Sequence, residues 1–311
     1  MPYRDEEAMS RVSTMGQYQM SITSMMRIES DFAAVQKQLS SEQKAESYRD
    51  LSSNTERVVS LENEVTRSNK VVEQGGLVQA RIESQYSAVD AMVDVLSNYQ
   101  VDLSSAISGQ NAGASALNEN AQVALESFAD LANLEVSGRY LFGGGVTDRP
   151  PVDIGNPPYA PQTAPTSADT SYYQGDDAIA SIRTSQTREI EYGVTANASG
   201  FEKAIRALSI GANASENPQD NTSLNEAYDL VNQAIDELLV IQSSLSASAS
   251  SLSDVIDGEI EYQLYLDAMV SDIKHVDLAA VITQQEQIQA QLEASYSATA
   301  KISQLRLSDF L

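Results

Sequence analysis

The chain carries one histidine, His275, and no cysteine, so a Ser-His-Asp or Cys-His device would have to rest on that single imidazole. His275 lies between Lys274 and Val276 in a helical pattern, where a surface or bundle histidine is the expected reading. Gly143-Gly144-Gly145 has the glycines of a phosphate loop, but no Lys-Ser/Thr pair follows them. Asp254-Val255-Ile256-Asp257-Gly258-Glu259 supplies carboxylates without the alternating ligand spacing of a calcium loop. Asp176-Asp177 could share a metal ion, yet a turn capped by its own aspartate side chains is the simpler expectation. Without cysteine there is no disulfide and no zinc-thiolate site. The residues capable of chemistry make no catalytic constellation, and the expectation is a protein that is not an enzyme and holds no cofactor and no metal.

Charge and hydropathy narrow the partners. The 311 residues carry a formal charge of −25, which argues against a nucleic-acid binder, since phosphate contacts need clustered Lys and Arg. The charge is uneven: residues 1–110 hold ten Lys/Arg against sixteen Asp/Glu, but residues 224–311 hold three against fourteen. The acidic last third reads as a solvated helical face. A hydrophobic fraction of 42% argues against global disorder. The N-terminus lacks the basic start and apolar core of a secretory signal, and no run of eighteen apolar residues would span a membrane. Composition by itself points to the cytoplasm.

Two long helical arms flank a short, turn-rich centre. In the first arm Tyr18, Ile22, Met25, Phe32, Val35 and Leu39 repeat at three and four residues, a heptad-like stripe. A polar stretch to Asn54 loosens it. The stripe resumes with Val58, Leu61, Val65 and Val72, crosses Gly75-Gly76, and runs from Ile82 through Tyr86, Val89, Val93, Leu96 and Leu103 to Ile107. After a break at 108–113, a helix is predicted from about Leu117 to a stop at Gly138. Six of the eight prolines lie between Pro150 and Pro165, too many breakers for a regular element. Ile190, Tyr192 and Val194 alternate as in a half-buried strand, and Tyr172-Tyr173 before Gly175 reads as a strand entering a turn. Helices return after Gly200: Leu224, Tyr228, Val231, Ile235, Leu238, Leu245, Leu252 and Ile256 hold one register, with weaker periodicity through Leu266, Val270 and Ile273. Val281, Ile288, Leu292, Ile302 and Leu305 carry the stripe to the last turn.

The expected fold class is therefore mainly α: a long antiparallel helical bundle or coiled coil formed by the N- and C-terminal arms, with a small β-rich central insert. The expected divisions are residues 1–57 with 275–311 as a terminal coiled-coil assembly region, 58–138 with 201–274 as a helical trunk, and 139–200 as the insert. The ends attract most attention. Ile302, Leu305, Leu307, Phe310 and Leu311 bunch where no following sequence folds over them, whereas chain ends are usually polar and tolerant. Few other elements are available to cover 15–39 and 281–305, and helices of this length are marginal alone in water. The expectation is that neighbouring copies order them, through Ile22, Met25, Phe32, Val35, Leu39, Ile288, Leu292, Ile302, Leu305, Leu307, Phe310 and Leu311.

Several stretches together resemble the bacterial flagellin superfamily, and within it the branch that forms the hook-filament junction. Arg11-Val-Ser-Thr14 with Gln17-Tyr18 resembles the start of that family, here after a ten-residue extension that leaves Met1 or Met9 as the start. Gln38-Leu-Ser-Ser41 is similar to its first-helix ending, with Glu42 where the family has a glycine. Leu131-Ala-Asn133, then Gly138-Arg139-Tyr-Leu-Phe-Gly-Gly144 and Thr147, is similar to the helix-to-insert junction and is the most specific motif. Tyr172-Tyr-Gln-Gly-Asp-Asp177 and Ile190-Glu-Tyr-Gly-Val194, with Asn197 and Gly200, resemble the β segment that follows. Leu278-Ala-Ala, Ala294-Ser-Tyr296, Ile302 and Asp309-Phe-Leu311 look like the junction branch's ending.

This resemblance implies a structural protein of the bacterial flagellum, exported unfolded through the flagellum's own type III channel and used in motility. It also reverses the cytoplasmic expectation, placing the chain outside the cell, on the flagellum. The implied partners are a hook-associated junction protein on the hook side, flagellin on the filament side, a cytoplasmic export chaperone and further copies of the chain, with no nucleic acid and no membrane. Filament flagellin itself is the alternative. A secreted enzyme or adhesin built on residues 139–200 is a third reading, weakened by how little core that segment offers for a pocket.

Overall fold

The three-and-four spacing of apolar residues becomes six α-helices in the computed structural model, which describes residues 5–45, 47–109, 114–185, 187–213 and 221–308. They are α1 (Asp5–Ser41), α2 (Thr55–Ile107), α3 (Ala114–Ala132), α4 (Ser199–Asn213), α5 (Asn221–Lys274) and α6 (Leu278–Ser308), with a 3-10 helix over Tyr48–Asn54. Four short strands form two antiparallel pairs: β1 (Glu135–Val136) with β2 (Arg139–Tyr140), and β3 (Ala180–Arg183) with β4 (Glu189–Tyr192). The mainly α class with a small β-rich centre is what the periodicity predicts.

The chain divides into two compact units, one of residues 1–67 with 262–311 and the other of residues 68–261. The second holds the main core. Ile82, Val89, Met92, Leu96 and Leu103 of α2 meet Leu125 and Phe128 of α3, Phe201, Ile205 and Leu208 of α4, and Val231, Leu238, Leu245 and Leu252 of α5. Leu141, Phe142, Val152, Tyr172, Ile182 and Ile190 join the same cluster, so residues 139–200 share their hydrophobic interior with the helices. Phe201 lies at the middle, 5.9 Å from the Phe128 ring at 71° and 5.4 Å from Phe142, distances at which tilted aromatic pairs attract.

Several local expectations give way to longer-range geometry. The helix predicted to stop at Gly138 ends at Ala132, and Gly138 instead serves the β1–β2 hairpin. Ser137 (φ 53°) and Gly138 (φ 77°) both take left-handed backbone, the requirement of a type I′ turn. The stripe read as crossing Gly75-Gly76 does so as one helix: α2 is continuous from Thr55 to Ile107. A Cβ on Gly75 would lie 2.9 Å from Ile256 Cγ1, so this glycine lets α5 come close. The register at 224–256 and the weaker periodicity that continues it to Ile273 lie on one helix, α5. Tyr172-Tyr173 is no strand: Tyr173 makes an isolated bridge with Val152, and the buried Tyr172 donates its hydroxyl to Ala196 O at 2.9 Å. The strand read at 190–194 is β4, ending at Tyr192 with Ile190 buried.

Candidate assembly surface

In the first unit α1 and α6 pack against each other in antiparallel sense. Ser21 Oγ lies 3.2 Å from Thr299 Oγ1, and Tyr296 donates its hydroxyl to Glu29 Oε1 at 2.6 Å. That bond and the adjacent Glu29 charge raise the Tyr296 pKa. At the other end of the pair the two turns hold one another. The Lys44 amide donates to Lys274 O at 2.7 Å, the Val276 amide donates to Glu42 O at 3.0 Å, and Gln43 bridges His275. Glu42, standing where the family resemblance places a glycine, has φ 57°. The left-handed turn is thus kept by a residue that adopts it at a cost of about 1–2 kcal/mol.

Lys274 pairs with Glu62 and sits 5.1 Å from the centre of the Tyr48 ring, whose hydroxyl donates to Glu62 Oε2 at 2.8 Å. The Lys274 partner lowers the Glu62 pKa, and Glu62 raises that of Lys274. His275 is exposed, its Nδ1 2.9 Å from Ser271 Oγ, a surface histidine at a helix end.

The twelve residues named for assembly fall into three groups. Val35 is buried, whereas Ile22, Met25, Phe32, Leu39, Ile288 and Leu292 are half-buried. Ile302, Leu305 and Leu307 belong to α6, but their side chains lie outside the described residues, as do Phe310 and Leu311 altogether. The two ends do have cover within the chain: α1 and α6 pack on one another, the antiparallel pairing of the two arms expected from the sequence. The cover is thin. On these two helices only Val35 and Val281 are buried among the described large apolar side chains, while Met20, Met26, Leu278, Ile282 and Tyr296 are exposed. Met20, Met26, Ile282 and Tyr296 sit off the apolar stripe, whereas Leu278 lies on it, three residues before Val281.

The junction motif lies in the second unit, and its residues have identifiable work. Asn133 pairs its side-chain amide with the Val152 backbone in both directions, Nδ2 donating to Val152 O at 2.8 Å and Oδ1 accepting from Val152 N at 2.9 Å. Arg81 and Gln85 of α2 donate to the Tyr140 and Leu141 carbonyls at 2.9 and 2.7 Å. Leu141 and Phe142 are buried. Gly144 takes φ 69°, and a Cβ there would come within 2.3 Å of Asp176 O. Asp176 Oδ1 accepts from the Gly145 and Ala178 amides at 2.6 and 3.0 Å. Those two bonds hold its carboxyl below the usual aspartate range. The glycines therefore seat one turn on another, and Asp176 is a turn cap, as its sequence context predicts. No group of three or more His, Asp or Glu gathers as a metal site among the described residues, and no helix there is long and apolar enough to cross a membrane.

Comparison with known proteins places this geometry. Residues 12–147 match the family model described as the bacterial flagellin N-terminal helical region. No curated protein sequence matches the chain. Two solved structures share its fold. A Vibrio parahaemolyticus protein described as a flagellar hook-associated protein superposes with a TM-score of 0.59 at 13% identity, over 73% of this chain and 100% of that one. FlgL of Bacillus cereus superposes with a TM-score of 0.54 at 15% identity, over 69% and 98%. From residue 12 to residue 147, then, the chain is similar to the flagellin N-terminal helical region, and its fold is shared with these two proteins.

Proposed function

We propose that the chain is a structural subunit of the bacterial flagellum and, within it, an adaptor of the hook-filament junction resembling hook-associated protein 3. One observation carries this reading: a flagellin-type N-terminal region whose first helix pairs with the last, leaving most of the apolar stripe half-covered. Each Leu, Ile or Phe moved from water to a packed interface contributes on the order of 1.5–3 kcal/mol. A seam of such residues is enough to drive polymerisation once neighbours stand alongside. In this reading residues 1–57 with 275–311 assemble, 58–138 with 201–274 form a trunk, and 139–200 form an insert. The chain leaves the cell by the flagellar export channel, escorted before export by a cytoplasmic chaperone. It then packs on a hook-side junction protein below and receives flagellin above. Its work is mechanical, with no reaction catalysed.

The likeness to a hook-associated protein favours the junction over the filament, whereas the family model that matches is that of flagellin itself, so filament flagellin is the second reading. Abundance separates them: a filament protein dominates the extracellular flagellar mass and a junction protein is a minor component. Deleting the gene is expected to leave hooks without filaments and flagellin shed into the medium. Truncation at 296–311 should abolish assembly and leave a protease-resistant remainder. A deletion strain with normal filaments, or a truncated chain that still anchors them, overturns the proposal.

A further inference from the structure

Six of the eight methionines fall within the first 26 residues: Met1, Met9, Met15, Met20, Met25 and Met26. Leucine forms helix as well as methionine, so helix formation alone does not call for this concentration. Within α1 the described side chains separate sharply. Met25 lies half-buried, but Met20 is 69% and Met26 63% exposed. Met92, in the core of the second unit, is 0% exposed. Thioethers react with peroxides according to access, and the product is a polar, chiral sulfoxide in place of a flexible apolar chain. Both exposed thioethers lie on α1, the helix that the function proposed above packs against neighbouring subunits.

We propose that Met20 and Met26 are oxidation sites for peroxide-class oxidants, and that their sulfoxides block packing of the terminal helices against neighbouring subunits. In the step, the sulfur lone pair attacks the terminal oxygen of hydrogen peroxide and the O–O bond breaks. The transferred hydroxyl's proton passes to the departing hydroxide, which leaves as water. Sulfur is oxidised by two electrons, becoming S=O, and the peroxide is reduced by two. A buried sulfoxide oxygen needs a hydrogen-bond partner that an apolar seam does not offer, so the modified subunit is excluded. The consequence for assembly rests on the reading proposed above; the selectivity of oxidation does not.

The test treats the full-length folded chain with hydrogen peroxide, maps modified peptides by mass spectrometry, and scores incorporation of the chain into flagella or sedimenting polymers. Met20 and Met26 should oxidise at least about tenfold faster than Met92, and incorporation should fall by about tenfold or more. The Met20→Leu/Met26→Leu variant, which keeps both side chains apolar, should hold its own untreated level of incorporation after peroxide. A dithiol-dependent methionine sulfoxide reductase should restore the oxidised wild type. Equal oxidation of Met20, Met26 and Met92 overturns the assignment, as does a double variant that is still inactivated by peroxide. Undiminished incorporation of oxidised wild type sinks this inference alone. Failure of the untreated chain to incorporate sinks both the assembly reading and the consequence drawn from it, while the peptide map still decides the selectivity.

Discussion

The Gly145 amide donates to Asp176 Oδ1 at 2.6 Å across 31 residues of sequence. That bond ties the glycine turn of the junction motif to the loop that follows the proline-rich segment. With the Ala178 amide as second donor, the folded state favours the charged carboxylate and lowers its pKa below 3.8. The sign follows from the direction of the shift. Stability from this group is complete above the ordinary aspartate value and is lost as pH falls through the lower folded value. Asp176→Asn should therefore flatten the loss of stability below about pH 4. Urea unfolding of wild type and variant between about pH 2 and 6 measures it, and parallel curves would refute it.

Gly75 and Gly76 are neighbours with opposite predicted responses to alanine. A Cβ on Gly76 meets nothing within 4 Å, so Gly76→Ala should stabilise the chain by about 0.5–1 kcal/mol through helix propensity. At Gly75 the new methyl would press on Ile256 at 2.9 Å. Gly75→Ala should lose that gain or become destabilising by about 1 kcal/mol. Thermal melts of the two variants decide the matter, and identical shifts would show that α2 and α5 do not approach closely there.

Glu42 occupies left-handed backbone with φ 57° and supplies its carbonyl to Val276 N. Glu42→Gly should relieve the strain, part of the gain being offset by the greater freedom of glycine in the unfolded chain. A net stabilisation of up to about 1 kcal/mol is expected, read as protection of amides 42–44 and 274–276 from hydrogen exchange. Reduced protection would contradict the account of this turn.

Asn133 satisfies both backbone groups of the buried Val152. Asn133→Ala leaves a donor and an acceptor unpaired and should cost about 1–3 kcal/mol. Asn133→Asp keeps the shape but loses the donor to Val152 O, and it should be less damaging in acid, where the carboxyl protonates. Denaturant midpoints at neutral and acid pH test both substitutions. A neutral Asn133→Ala would mean that water replaces the amide without loss.

Local repetition made the long helices legible from residue types alone. The spacing from Ile82 to Ile107 and from Leu224 to Ile256 depends only on neighbours three and four positions away, and α2 and α5 contain both runs. The same order of elements, with the Arg139–Gly144 motif, was enough to read the mainly α class and the resemblance to flagellins. The absence of cysteine and the single histidine were equally plain.

Tertiary structure decided the rest, because its contacts join residues whose separation carries no periodic signal. Gly138 suits a helix end and a hairpin turn equally, and only pairing of Arg139 with Val136 selects the hairpin. The α4 helix falls in the stretch after Gly200 read as helical, but its own boundaries and its buried face of Phe201, Ile205 and Leu208 were not picked out. That run is only fifteen residues long, and its identity depends on the Phe128 and Phe142 rings that surround Phe201. Sequence could mark a stripe on α1. Only the packing of α1 against α6, which sets Ser21 beside Thr299, 278 residues away, leaves Val35 and Val281 closed off while Met20 and Met26 face outward. Burial is a property of where a distant segment comes to rest, and the path of the chain between the two sets it.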